Sequence, residues 1–555
     1  MFSLHRINLL LLVAMPLMSV SCGDAPEENP RVHESSDSGL GIVNETNLRV
    51  HLEWLADDAR QGREAGTPGH EAAAKYVAAF FAKLGLEPAG DEGWYQQVPL
   101  ITYQIDNDAP LLTVHRDGVD STLVYRDDYV IRGDKVRPET SVRGEAVYVG
   151  FGVHAPELGY SDYEDVDVVG MIVVLFGGAP STFEHYERAY YASSRSKAEE
   201  AARRGAIGVI ALRSRYAQRS YTWERISSRA GKTKSMAWVS LSGEASDYIE
   251  QLRGMVLLGP KAASELFIGS PITFEEMLDA IDDDVMSSIP LGFEISIAGR
   301  TIHDRITSPN VIGLVRGSDP ALADEYVAYS AHLDGVGIDP APDGEDNIRN
   351  GAYDNAMGIS IMLETARVFA ADPPARSILF IALTAEEKGL LGSDYFAHYP
   401  TVPTGSIVAN INVDIPLFLY PVADLNAFGS EHSSLEATVA AAAEAEGFVL
   451  TPNPLPEENL FVRSDQYSFV RQGIPSTYLK PGLQSTDPDI DAEAMFQEHR
   501  LNHYHTVSDD LNRPVDWDSV ERFTRAHIRI GQAIADNPER PTWNDGDFFG
   551  ERFAR

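Results

Sequence analysis

The chain has 555 residues, 44% of them hydrophobic and 23% charged, which excludes a disordered or low-complexity protein and implies two or three domains. A formal net charge of −38 excludes nucleic acid and anionic membrane surfaces as partners, since both would be repelled. Cys22 is the sole cysteine, so no intrachain disulfide helps and the fold must stand on its apolar cores.

The N-terminus, MFSLHRINLLLLVAMPLMSVSCGD, places one arginine before an apolar run over residues 7–20, too short to span a bilayer as a helix. Its end, SVSC, resembles a bacterial lipoprotein signal in which Cys22 is lipidated, although Ser19 stands where leucine is usual. A conventional signal peptide cut nearby is the alternative. Both imply export, either lipid-anchored to the cell envelope or secreted. The polar, Pro/Ser-rich residues 23–40 read as a tether after a signal at 1–22. Helical spacing follows in LRVHLEWLADDARQGR and, after the break AGTPG, in HEAAAKYVAAFFAKLGL. From about 111 to 297 short β-rich runs prevail (AVYVGFGV, MIVVLFGG, AIGVIAL, MAWVSLS), with one helix at KAEEAARRG. Strand–helix alternation then returns, from EYVAYSAH to a last helix near 516–535. This pattern predicts an α/β domain with a covered, largely parallel sheet, interrupted by a β-rich insert. The expected limits are 41–124 for the first part of that domain, 125–290 for the insert, 291–540 for the catalytic part and 541–555 for a C-terminal tail.

In open α/β sheets, ligands bind beyond the carboxyl ends of the strands. Here VAYSAHLD ends in His332 and Asp334, LFIALTAEE in Glu386 and Glu387, and VANINVD in Asp414. GAYDNAMG puts Asp354 at the start of a helix, and LNHYHTVSDD supplies His503 and His505. Singly, His332 reads as a core histidine, Asp354 as a helix cap and the two glutamates as a solvated strand end. Together, clustered carboxylates in a dry site need a cation to stay charged. Imidazole and carboxylate without thiolate suit zinc, and two ions bridged by one carboxylate are a recurring hydrolytic arrangement.

The stretches SAHLDGVG, NGAYDNAMG, LTAEEKGLLGS, NVD, RSDQYSF and YHTVSDD, in this order, resemble the co-catalytic zinc aminopeptidase family. Relatives of that family include glutamate carboxypeptidases, the transferrin receptor ectodomain and glutaminyl cyclases. The opening DDARQGREAGTPGHEAAAKYVAAFFAKLGLEP is similar to the family's first segment, and VYVGFGVHAPELGYSDYEDVDVVGMIVVLFGG with KAEEAARRGAIGVIAL resembles a protease-associated domain. The resemblance implies a three-layer α/β/α sandwich with a mixed, mainly parallel sheet. It implies two zinc ions, one on His332 and Asp414, the other on Glu387 and His505, with Asp354 bridging and Glu386 as general base. Asp334 and Asp509 would stand behind these ligands, Asp334 orienting His332 through its other ring nitrogen. Tyr504 matches a position that stabilises the oxyanion, packing being its plain alternative. Residue spacing leaves His503 and His505 both open, since they would share a face of an extended strand; the match YHT-xx-D selects His505. Asp465 and Gln466 fall at the substrate pocket. Gln466 stands where the family often has histidine, Tyr353 replaces a common aspartate, and IPLFLY follows NVD where relatives have Met-Ile-Gly. These departures imply an unusual specificity pocket.

The implied activity is a metal-dependent aminopeptidase acting on peptides. A carboxypeptidase of the same family would need cations to grip carboxylates, for which Arg463 and Arg471 are candidates while Arg and Lys are otherwise scarce near the motifs. A catalytically silent cell-surface binding protein of the same fold is the alternative from another class, and it need not keep Glu386 or all five ligands. The membrane enters only through a lipid on Cys22, and the insert is assigned no partner.

Overall fold

The computed structural model describes residues 43–284, 288–339 and 346–554; the leader, Cys22 and the tether lie outside them. Four parallel strands form the centre of the larger sheet: Ser377–Leu383, Tyr326–His332, Ile407–Asn412 and Ser476–Pro481, side by side in that order. The first three are buried at every residue, which is why they read as unbroken apolar runs. Antiparallel strands flank them, Ile289–Val315 beside Ser377–Leu383 and Asp424–Phe428 beside Ser476–Pro481. The sheet is thus mixed and mainly parallel.

One face carries the helices Glu45–Leu55, Pro68–Leu84, Met357–Ala371 and Trp517–Asp536 over the main core. Thr67 caps the second of these, and Gly85, at φ 79°, ends it in the left-handed conformation that glycine tolerates. The opposite face is covered more thinly, by Leu391–His398 and Gln466–Val470, with Phe396 and Phe469 packed on Ile312, Leu379 and Ile381. Two helical layers around a sheet give the three-layer α/β/α arrangement.

The strand Ile289–Val315 runs through two sheets. Its second part pairs with Tyr95–Ile105, Thr301 opposite Ile105, in the larger sheet. Its first part pairs with Leu111–Arg116 and Glu139–Tyr148 in a second sheet, which has its own apolar core. That sheet takes in Leu111–Arg116 and Val119–Leu123 as a hairpin, so it starts before the limit of 125 expected from sequence. The middle region also carries more helix than the one expected. Besides Ser194–Arg203 it forms His185–Ala192, Arg215–Ser220, Trp223–Arg229, Pro260–Leu266 and Phe274–Asp282. These are short, and Ser214, Thr222 and Thr273 cap three of them, the last in a capping box with Glu276. Nor is the C-terminus a loose tail: Phe548–Phe553 is helical, with Phe549 fully buried against Phe461. Among the described residues no helix is long and apolar enough to cross a membrane.

Candidate metal centre

Three parallel strands and two loops converge at one sheet edge. His332 closes the strand Tyr326–His332, and its Nε2 lies 3.0 Å from Asp414 Oδ1 and 3.2 Å from Asp354 Oδ1. His505 Nε2 lies 3.0 Å from Asp354 Oδ2 and 3.1 Å from Glu387 Oε2. Asp354 therefore stands between two triads, His332–Asp354–Asp414 and Asp354–Glu387–His505, each with candidate ligand atoms within 4.8 Å of one another. The five residues singled out in sequence as ligands are brought together.

The local backbone explains their placement. After the strand Ser377–Leu383, Ala385 adopts φ 55° and turns the chain, and the carboxylate of Asp334 accepts the N–H groups of Glu386 (3.0 Å) and Glu387 (3.3 Å). Asp509 does the same for the other loop, accepting from Tyr353 N at 3.0 Å and Asp354 N at 3.1 Å. The role expected of Asp334 thus needs correction. The His332 Nδ1 contact is to its main-chain carbonyl at 3.1 Å, while its carboxylate, committed to the two amides, stays 3.9 Å from the ring. Ser464 donates to Asp414 Oδ2 at 2.6 Å. Sequence reasoning missed Ser464, and it missed Arg63. Wholly buried, Arg63 donates to the carbonyls of Leu55, Leu333, Asn350 and Gly351, tying both site loops to the first helix. The only sequence signal for it was a basic residue beside a glycine in a turn.

His503 lies apart, held by Ser508 at 2.7 Å and Glu498 at 2.7 Å. The segment is a helix end followed by a turn, with His505 at φ 57°, so the strand geometry that left the two histidines equivalent does not apply. Gln466 is not a pocket residue: its buried amide donates to Phe461 O and accepts from Asn412. Asp465 is wholly buried behind Asp414 and lines neither cavity at the site. Tyr504 stacks on the His505 ring, centroids 3.8 Å apart, and faces both cavities.

The electrostatics favour a cation. Asp334, Asp354, Asp414, Asp465 and Asp509 are all buried, with Glu386 and Glu387 beside them, and the buried Arg63 guanidinium spends its donors on carbonyls. Burial pushes the carboxyls of Asp334 and Asp509 up to about 7, and it drives Glu386 well above the usual range, with Asp414 and Glu387 adding to the effect. Burial disfavours the charged form of Asp354 too, yet contacts with His332 and His505 hold it below the usual range. Asp354 Oδ2 and Glu387 Oε1 are buried without an aligned hydrogen-bond donor. A donor set of imidazole and carboxylate with orphaned buried oxygens fits zinc.

Residues 310–530 match the model of Peptidase family M28. Over these residues the chain is similar to that family, and further likenesses agree with the match. It is 34% identical over 142 residues to Aminopeptidase NAALADL1 of Mus musculus, covering 24% of this chain and 17% of that protein. It is 37% identical over 110 residues to Aminopeptidase YwaD of Bacillus subtilis (strain 168), covering 20% and 22%. A probable zinc metalloprotease of Pyricularia oryzae is 26% identical over 283 residues, covering 44% of this chain and 54% of that protein. The chain thus spans from about a sixth to about half the length of these curated relatives. In fold, it is similar to the aminopeptidase from Aneurinibacillus sp. strain AM-1, with a TM-score of 0.51 and 17% identity over 90% of this chain and 95% of the other.

The centre opens into a small cavity of about 50 Å³ and a larger one of about 390 Å³. Ile415, Leu460, Arg463, Lys480 and Tyr504 line both, so the larger cavity adjoins the metal centre. Its wall corrects the expectation that cations are scarce here: Arg225, Arg463, Lys480 and Arg500 line it. The region from Tyr221 to Arg225 belongs to the middle of the chain, so the insert reaches the site.

Proposed function

We propose that the chain is an aminopeptidase that removes N-terminal residues from peptides with two zinc ions, exported and carrying a lipid on Cys22. The observation that carries the peptidase reading is the double triad sharing Asp354, with Glu386 free of both triads and lining the small cavity beside Asp354 and Asp414. His332, Asp354 and Asp414 would hold one ion and Asp354, Glu387 and His505 the other. Zinc so held supplies Lewis acidity toward the scissile carbonyl and lowers the pKa of water.

The protein's own groups do the rest. The raised proton affinity of Glu386 suits a general base, taking a proton from the attacking water and passing it to the departing amine. Tyr504, held against His505, would donate its hydroxyl to the developing oxyanion. Buried carboxylates beside the small cavity favour a free α-ammonium, which supports exopeptidase action from the N-terminus.

The test is mass spectrometry of a mixed peptide library after incubation with zinc-loaded protein lacking residues 1–22, with Glu386→Gln alongside. Loss of single residues from free N-termini, absent with the variant and with N-blocked peptides, is the expected result. Trimming from C-termini would replace the reading with a carboxypeptidase.

A further inference from the structure

In a chain of net charge −38, the larger cavity carries four cationic side chains, Arg225, Arg463, Lys480 and Arg500, against one carboxylate, Glu458. Glu458 is already paired, 2.5 Å from Arg500 and 3.3 Å from Arg463. Lys480 and Arg225 take part in no ion pair among the described residues. The Lys480 ammonium donates to Tyr478 Oη at 3.0 Å, and Arg225 donates to the Tyr504 carbonyl at 3.2 Å. On the side of the small cavity Lys480 has Asp354, Glu386 and Asp414, but on the side of the larger cavity the one carboxylate, Glu458, is already paired, so a cation there is costly to bury unless an anion arrives. Between the cations the wall is apolar, with Leu417, Phe428 and Phe496. Such a wall excludes water and strengthens any ion pair formed inside it.

From this lining we infer that the cavity binds a carboxylate of the substrate, so that the enzyme prefers peptides carrying an acidic group next to the cleaved bond, with Lys480 as the specificity-determining residue. The inference rests on the peptidase reading for the bond that is cut, but not for the binding itself. Lys480 also lines the small cavity with Asp354, Glu386 and Asp414, so it stands at the passage between the reacting centre and the cationic pocket. A carboxylate could come from an aspartate or glutamate side chain or from a free C-terminus one residue on. Both present the same chemistry to Lys480 and Arg463.

The experiment has two readouts. Initial rates are compared for glutamyl and glutaminyl dipeptide amides, and for alanyl-alanine as free acid and as amide. Binding of the glutamyl amide to zinc-loaded Glu386→Gln protein is measured by calorimetry. A preference of about tenfold to a hundredfold for the carboxylate in at least one pair is expected, the factor of one hydrogen bond to a charged group. Lys480→Met should remove it, Lys480→Arg should keep it, and Arg463→Gln, at an exposed side chain, should reduce it. A glutamyl preference assigns the carboxylate to the side chain, and a free-acid preference assigns it to the C-terminus. Equal rates within both pairs, or a preference unchanged in Lys480→Met and Arg463→Gln, overturns the inference while leaving the peptidase standing. Lys480-dependent binding without turnover of any peptide supports the pocket and sinks the peptidase.

Discussion

Glu386 and Glu387 are neighbours in sequence with opposite duties: one carboxylate faces His505, the other faces the small cavity. Replacing Glu386 by glutamine keeps shape and removes the proposed base. We expect kcat to fall about 10²- to 10⁴-fold with metal content unchanged, read by peptide hydrolysis and elemental analysis of the same sample. The histidines give a second residue-level prediction. His505→Ala should lower bound zinc toward one ion per chain, whereas His503→Ala, changing a ring held by Ser508 and Glu498, should leave zinc unaltered. His332, Glu386, Glu387 and Asp414 were legible because each closes a buried apolar strand, and strand ends are where such sheets place their chemistry. Lys480 was not. It sits in STYLK as the one basic residue of a short strand, and only folding brings Arg225 and Arg500 to its side.

At the scale of elements, the site loops are fixed by buried groups that touch no reacting atom. Asp509 clamps two successive amides beside Asp354, so Asp509→Ala should weaken zinc binding about 10- to 100-fold, measured by chelator competition. Unchanged affinity would mean that the loop holds its own shape. Arg63→Met strands four buried carbonyls and should cost about 3 kcal/mol or more in denaturant unfolding, since each unsatisfied buried acceptor costs about 1–3 kcal/mol. Roles of this kind escape a sequence reading for a physical reason. Main-chain partners carry no residue signature, so nothing in LADDARQGR marks Arg63 as the knot between a helix and two loops.

For the whole molecule, protons bind differently to the folded and unfolded chains. Burial holds His51 and His70 near pKa 3 and His499 and His527 near 4, below the usual 6.5. The unfolded chain therefore binds more protons below about pH 6.5, and these groups remove stability as the pH falls through that point toward 3. In the metal-free chain Asp334 and Asp509, raised to about 7, act with the opposite sign. A difference experiment isolates one group. The stability gap between wild type and His51→Gln should shrink by about 2 kcal/mol between pH 7.5 and pH 5, read from urea midpoints, because one pKa unit is worth about 1.4 kcal/mol. A constant gap would show that His51 titrates in the fold as it does in the unfolded chain. At this scale the two-part plan was legible from the change in strand and helix spacing. The limits of the insert were not, because one strand, Ile289–Val315, serves both sheets and no break in composition marks the crossing.

That shared strand makes the insert the tip of a long hairpin, since the chain leaves at Ile105 and re-enters opposite it at Thr301. Excision is therefore geometrically simple: a two-residue turn could join the two positions without moving the zinc ligands. What such a shortened chain would lose is more than a cover over the cleft. Ser235–Trp238, which pairs along Leu100–Tyr103, would vanish and bare a row of unpaired peptide groups to other molecules. The insert is thus also a guard rail on the larger sheet, and trimming it away would trade a closed edge for a sticky one.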